Sequence, residues 1–411
     1  MKDQPMNKKL QKIIEKEAPL LLELERNLKE IGQSDYLIKQ SIKGEMENRT
    51  SMLMNLYSAD LNNAFVVLKS EETNWEKKIL DCQRNNVEPD PLDLKQKELI
   101  TMQIRIIENA LNMKKQYHKK PSGEHPIERE MVKYPLISAS SPKETKMKQM
   151  RNNKGVIVQE RNGFRKLYYE NERGTYLTMH DERVLIGLFR LWLTHGKQQT
   201  ISFDFKELAD EMFIVEPSGG EYNAILNSLK NLYSTSIVME EYMDPSSNES
   251  ISREYHRPIH TLKLIGKPNK ERAATVTFHD YVQSSMAGGN FIMINMLLYN
   301  DLKNDTTKVL YPFILSELSK NQDLYMLDMN LMVEQFNISP DNESRSRSLI
   351  MNAMEELEGT AELILEPTSK KLAGRYYVSF KPHPEYRARG KLEAPELIDI
   401  KPEQLSLPMS E

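Results

Sequence analysis

The second half of this 411-residue chain writes one order of elements twice, and that repetition limits its folds most. The order is helix, helix, helix, strand, strand, over about 175–285 and again over 290–384. The second copy is the clearer. Residues 306–320 (TTKVLYPFILSELSK) space their apolar side chains as one face of a helix, and 324–327 (LYML) reads as a short strand. A short helix follows at 329–337 (MNLMVEQFN) and a longer one at 343–358 (ESRSRSLIMNAMEELE). AELILEPT (361–368) and RYYVSFKP (375–382) then alternate as strands, joined as a hairpin across SKKLAG. A helix-turn-helix followed by a β-hairpin is the pattern of a winged helix, whose third helix enters the DNA major groove.

The first copy begins at Thr178, a good helix N-cap, with Asp181 and Glu182 in the first turn. Val184, Leu185, Leu188, Leu191 and Trp192 form its apolar face. A strand at 200–203, a helix at 205–213 and a third helix at 221–232 (EYNAILNSLKNL) follow. Strands are expected at 236–243 and 257–266, joined by the long polar loop PSSNESISREYH, with 274–282 adding a strand or closing the module. The fold class is therefore multidomain α+β: an N-terminal helical region, as a bundle or a coiled coil, then two tandem winged helices. The expected domains are 1–120 (helical), 121–153 (a basic, proline-containing linker), 154–288, 289–384, and a flexible tail at 385–411. A leading hairpin over 154–174 turns at Asn162-Gly163, which suits a type I′ turn.

Within 7–118, Leu10, Ile14, Leu21, Leu24, Leu28 and Ile31 recur at helical spacing, and Pro19 is expected to start a new helix. Leu92, Leu99, Ile106 and Met113 repeat every seven residues. They suit a self-packed bundle or a shorter coiled-coil dimer seam.

The formal net charge is −4, which argues against nucleic acid until the charge is read locally. Residues 143–166 carry eight Lys or Arg against two Glu, and residues 368–391 carry seven against one. Each basic run is either a solvated face or a phosphate contact. The single cysteine, Cys82, rules out an internal disulfide and disfavours structural zinc. No P-loop and no His-Glu-x-x-His are present, and His256 and His260 fall in a loop-to-strand segment where they stand too far apart for one metal. No apolar run approaches membrane length, and the N-terminus lacks a signal-peptide core. These features point to a cytoplasmic, non-enzymatic protein with no cofactor and no membrane partner.

The best site candidates are Arg345, Ser346, Arg347 and Ser348, in the first turns of the second module's third helix, with Asn352 outward behind them. Arginine bonds guanine O6 and N7 bidentately, and serine or asparagine contacts phosphate or base. Lys370, Lys371 and Arg375 fall in and beside the wing turn. The alternative is a solvated helix start whose arginines pair with Glu343 or Glu355. In the first module Tyr222, Asn223, Asn227 and Lys230 are the outward polar candidates, with packing or a protein partner as the alternative. Lys148 and Arg151 in the linker are further phosphate candidates. In the tail, Gln404, Leu405, Ser406 and Leu407 resemble the pentapeptide with which bacterial proteins bind the replicative sliding clamp; Pro408 stands where that motif has an aromatic.

Three stretches resemble the plasmid replication initiators of the replication initiator protein A type: YLTMHDERVLIGLFRL (176–191), KVLYPFILSEL (308–318), and LDMNLMVEQFNI followed by SRSRSLIMNAMEELE (344–358). The resemblance covers about half the chain. It implies binding to tandem repeats at an origin, opening of adjacent AT-rich DNA, recruitment of a host initiator and helicase, and a monomer–dimer switch in which the dimer represses its own gene. A tandem winged-helix transcription regulator and a primosome-type adaptor for helicase or clamp are the competing readings. The N-terminal 120 residues match nothing in that family.

Overall fold

The computed structural model describes residues 6–85, 87–119, 123–133, 157–158, 166–173, 177–214, 217–243, 250–268, 270–336, 338 and 342–384. It is a mixed helix and sheet structure. The N-terminal region is helical: α1 (Lys8–Glu30), α2 (Asp35–Arg49), α3 (Ser58–Arg84) and α4 (Pro91–His118). Pro19 does not start a helix; it lies inside α1 on an exposed side. Proline removes one backbone hydrogen bond, and on that side water can satisfy the carbonyl it frees. The seven-residue repeat in α4 does not make one seam either. Leu92 is 72% exposed while Ile106 is buried, and Ile100, Ile104 and Ile107 are buried from neighbouring positions. The helix is wrapped on a broad face, as in a bundle, with Leu10, Ile14, Ile42, Leu61 and Leu68 of the other helices in the same core. Each such side chain contributes roughly 1.5–3 kcal/mol on burial.

The chain next crosses to the second module before it builds the first. β1 (Glu124–Glu128) pairs antiparallel with β9 (Phe291–Asn295), from Glu124↔Asn295 to Glu128↔Phe291. α5 (Arg129–Lys133) follows, with Met131 and Val132 buried. This corrects the expectation of a linker over 121–153, at least for 124–133. Pro126 hid the strand, because proline argues against a central strand but is tolerated at an edge, and a two-stranded sheet is all edge.

The first module holds α6 (Met179–Thr194), β4 (Thr200–Asp204), α7 (Phe205–Glu211) and α8 (Gly219–Tyr233). Both long helices begin with a capping box, Thr178 with Asp181 and Ser218 with Glu221. The strands correct the sequence reading. β5 (Thr235–Met243) pairs with β6 (Ser250–His256), which had been read as loop. β2 (Ile157–Val158) and β3 (Lys166–Asn171) extend this sheet in the order β2-β3-β5-β6. Ile157 pairs with Tyr168 and Val158 with Leu167, and the turn expected at Asn162-Gly163 lies outside the described residues. After Arg257-Pro258 the chain changes sheets. β7 (Ile259–Ile265) and β8 (Ala273–Phe278) join β4 in the order β4-β8-β7.

After α9 (Asp280–Ala287), β9 and α10 (Met296–Asp301), the second module repeats that plan: α11 (Asp305–Leu318), β10 (Tyr325–Asp328), α12 (Met329–Gln335), α13 (Glu343–Gly359), β11 (Ile364–Leu372) and β12 (Arg375–Pro382). Its sheet runs β10-β12-β11, the same placement of first, third and second strands as β4-β8-β7. The β11–β12 hairpin closes at Ala373-Gly374, with φ of 47° and 83° and Leu372 opposite Arg375. Two consecutive positive φ angles make the tight turn that matches strand twist. The turn is thus shorter than SKKLAG, and Lys370 and Lys371 belong to strand β11.

The two modules share one continuous buried core, from Ile127 to Phe380. Tyr299 on α10 donates a 2.5 Å hydrogen bond to the Glu182 carboxylate on α6. The helical region is keyed to the second module through Asp301. Its carboxylate lies 2.6 Å from Lys114 Nζ and 3.3 Å from His118 Nε2, and it accepts from the Ser58 amide at 3.0 Å and from the Ser58 hydroxyl. Burial would raise the Asp301 pKa, but His118, Lys114 and Ser58 overcome it and hold the carboxyl down at about 2.

Candidate nucleic-acid interface

Asn342 caps α13, its side chain accepting from the Arg345 amide at 2.9 Å. From there the helix divides cleanly. Ile350, Ala353, Met354 and Leu357 are buried, while Arg345, Ser348, Asn352 and Glu355 are exposed along one stripe, three and four residues apart. Ser346 is not on that stripe. It is fully buried, and its hydroxyl donates to the Asn342 carbonyl at 2.8 Å. The sequence reading had grouped it with its neighbours; at 3.6 residues per turn it falls four before Ile350, on the core face.

Arg347 is half-buried and shared. Its guanidinium carbon sits 3.8 Å from the ring centre of Tyr376 on β12, and Nη1 lies 3.7 Å from Glu343 Oε1. Lys371 Nζ lies 5.1 Å from the same Tyr376 ring. Tyr376 therefore holds one cation from the helix and one from the hairpin, and it sets the start of α13 beside the hairpin tip. Such a ring orients a cation while leaving its charge unneutralised. Arg375 is exposed and 3.5 Å from Asp328, a carboxylate that also caps α12 through the Asn330 amide. Lys370 is exposed on the hairpin. Arg347 and Lys371 thus meet at Tyr376 near the exposed stripe of Arg345, Ser348 and Asn352, while Arg375 and Lys370 alternate to the other face of the same hairpin.

The first module is built differently. Asn223 and Asn227 are exposed one turn apart on α8, and Lys230 is half-buried. Tyr222 is partly buried against the core, with the Arg272 guanidinium 5.0 Å from its ring centre, so it packs rather than reaching outward. The cations come from neighbouring segments. Arg173 donates to Asn231 Oδ1 at 2.7 Å and to the Asn227 carbonyl at 3.4 Å, which lays it along α8. Lys263, Lys267 and Lys270 are exposed on β7 and the β7–β8 connection, the topological counterpart of the β11–β12 hairpin. The sequence reading left these four residues out because it joined 257–266 to 236–243, whereas β7 pairs with β8 and β5 with β6. The run KLIGKPNKERAATVTF, with Gly and Pro between two alternating stretches, was the signal.

Lys148, Arg151 and the tail segment Gln404, Leu405, Ser406 and Leu407 lie outside the described residues. Among the described residues no cluster of His, Cys, Asp or Glu is arranged to hold a metal ion, and no helix is long and apolar enough to cross a membrane.

No family model matches the chain, and no curated protein matches it. Among solved structures it is similar to two crystal structures of domains 2 and 3 of RctB. One has a TM-score of 0.41 at 12% identity, covering 57% of this chain and 93% of that one. The other has a TM-score of 0.34 at 10% identity, covering 59% and 99%.

Proposed function

We propose that this chain is a sequence-specific double-stranded DNA-binding protein in which two winged helices present α8 and α13 to the major groove, and that it serves as a replication initiator. The observation that carries the DNA-binding reading is the exposed stripe Arg345–Ser348–Asn352 beside a hairpin bearing Lys370, Lys371 and Arg375. Base-reading groups lie on the helix, and phosphate-reading groups lie on the wing. A second helix–strand–helix–helix–hairpin unit with its own basic wing supports a double-length site. The protein acts by binding, not catalysis. The initiator role rests on the resemblance to the plasmid initiators, and with it come origin repeats, local melting, recruitment of a host initiator, helicase and sliding clamp, and a repressing dimer.

Fluorescence anisotropy of the full-length protein with DNA flanking its gene, against shuffled DNA over a salt series, tests the reading. Specific binding that weakens steeply with salt is expected. Equal affinity for both DNAs would remove the sequence-reading role and leave the adaptor reading. A footprint over tandem repeats beside AT-rich DNA identifies an initiator; a single inverted repeat over the promoter identifies a transcription regulator.

A further inference from the structure

A cavity of about 660 Å³ opens where the helical region and both modules meet. It falls within the range of small-molecule sites, which favour domain junctions. Its wall includes Tyr57 from the helical region, Arg183 and Phe213 from the first module, and Leu297, Tyr299 and Lys308 from the second.

The charges in this wall do not balance. Asp301 is the one acidic residue among those lining it, and it is already engaged by Lys114, His118 and Ser58. Arg183 and Lys308 remain as two further cations. Arg183 gives one nitrogen, Nη2, to the Met212 carbonyl, whereas its Nε is buried without a hydrogen-bond partner. Burial lowers the pKa of both Arg183 and Lys308; around Lys308 the carboxylates of Asp305, Glu356 and Glu182 act against burial and the charge of Arg183. The buried, unpartnered Arg183 Nε is a donor that an anion in the cavity would satisfy. Beside the two cations stand apolar and aromatic surfaces: Tyr57, 38% exposed, with Phe213 and Met179. An anion bonded to a flat ring matches both halves of the wall.

We propose that this junction cavity binds a nucleoside phosphate, with the phosphate on Arg183 and Lys308 and the base against the aromatic side. Because all three parts of the fold contribute to the wall, a bound nucleotide stabilises the arrangement in which they meet. This goes beyond DNA recognition and is tested without DNA.

The experiment is isothermal titration calorimetry of the full-length protein with ATP, GTP, CTP and UTP in turn, and with adenosine and inorganic phosphate as the separate halves. Saturable binding of at least one nucleotide is expected, at least ~10-fold tighter than either half. Lys308→Gln, whose native side chain makes no hydrogen bond to the rest of the described fold, should weaken it at least ~10-fold with an unchanged circular dichroism spectrum. Tyr57→Leu, a change at an exposed ring, should weaken the nucleotide but not phosphate. Arg345→Ala with Arg347→Ala should leave it intact. No saturable binding up to ~1 mM overturns the proposal. So does binding that survives both Lys308→Gln and Tyr57→Leu, or binding lost with the α13 arginines, which would place the nucleotide on the DNA face.

Discussion

The two helices that stand third in their modules acquire positive charge in different ways. α13 carries its own arginines in its first two turns, and a hairpin tyrosine holds one of them in place. α8 offers asparagines, with Arg173 laid across its face and Lys267 and Lys270 exposed on the β7–β8 connection. A helix with its own arginines can combine base reading and charge at one point. If the proposed DNA binding holds, a helix with borrowed charge separates them, so contacts to bases and to phosphates can be perturbed independently. The modules also differ in anchorage. The second is fixed to the helical region by a buried ion cluster, and the first is tied to the second through Glu182 and Tyr299.

The largest expected effect breaks the anchorage. Asp301→Asn leaves Lys114 buried without its counter-charge and should cost about 3–5 kcal/mol, read by chemical denaturation. Because the folded carboxyl is held at about 2, below its ordinary value of 3.8, the wild-type contribution is complete above pH 4 and fades as pH falls through 2. A variant as stable as wild type at pH 7 would show that the cluster does not hold the helical region in place.

Next comes the contrast between helices. Arg345→Ala with Arg347→Ala should reduce specific DNA affinity at least ~30-fold, about 2 kcal/mol or more, with the fold intact. Asn223→Ala with Asn227→Ala should alter sequence preference without changing the salt dependence. If the asparagine pair costs as much salt dependence as the arginine pair, the division between the helices is wrong.

The tie between modules gives a pH-dependent test. Burial raises Glu182 to about 7 from its ordinary value of 4.5, against the hydrogen bond from Tyr299 and the charge of Lys308. A carboxyl raised on folding favours the folded state fully below its unfolded value, and that advantage is lost as pH rises through 7. Glu182→Gln, which can still accept from Tyr299, should therefore match wild type below pH 4.5 and exceed it at pH 8 by up to about 3 kcal/mol. Equal thermal denaturation at both pH values would mean that the carboxyl titrates normally.

The smallest effect sharpens the role of borrowed charge. Lys267→Ala with Lys270→Ala should weaken all DNA sequences alike and lower the slope of log affinity against log salt by about 2. A change in sequence preference instead would make the β7–β8 connection a base reader.

Much of the second module was legible in its residues. The caps, the apolar stripe of α13 and the alternation of β12 are local signals, and their boundaries came out within a few residues. Ser346 was misplaced because a run of Arg and Ser conceals which member turns inward; only its spacing from Ile350 decides. The first module's hairpin was misread because β6, SISREYH, is polar enough to pass for loop, and its strand identity comes from pairing with β5 across a long connection. β1 was hidden for a related reason. Its partner β9 lies more than 160 residues away, and no local pattern announces a ladder of that span. Arg173 reached the site through tertiary packing alone.

The β1–β9 ladder also sets the order in which the chain yields to tension. Everything from α5 to α9 hangs between two strands that lie side by side, so the first module is an excursion closed at its base. Glu124 stands opposite Asn295, and these are the ends nearest the two parts of the chain that would be pulled. Force applied across them opens the ladder pair by pair, like a zipper, instead of shearing all five pairs together. Until the last pair parts, the backbone of the excursion bears none of the load carried along the chain.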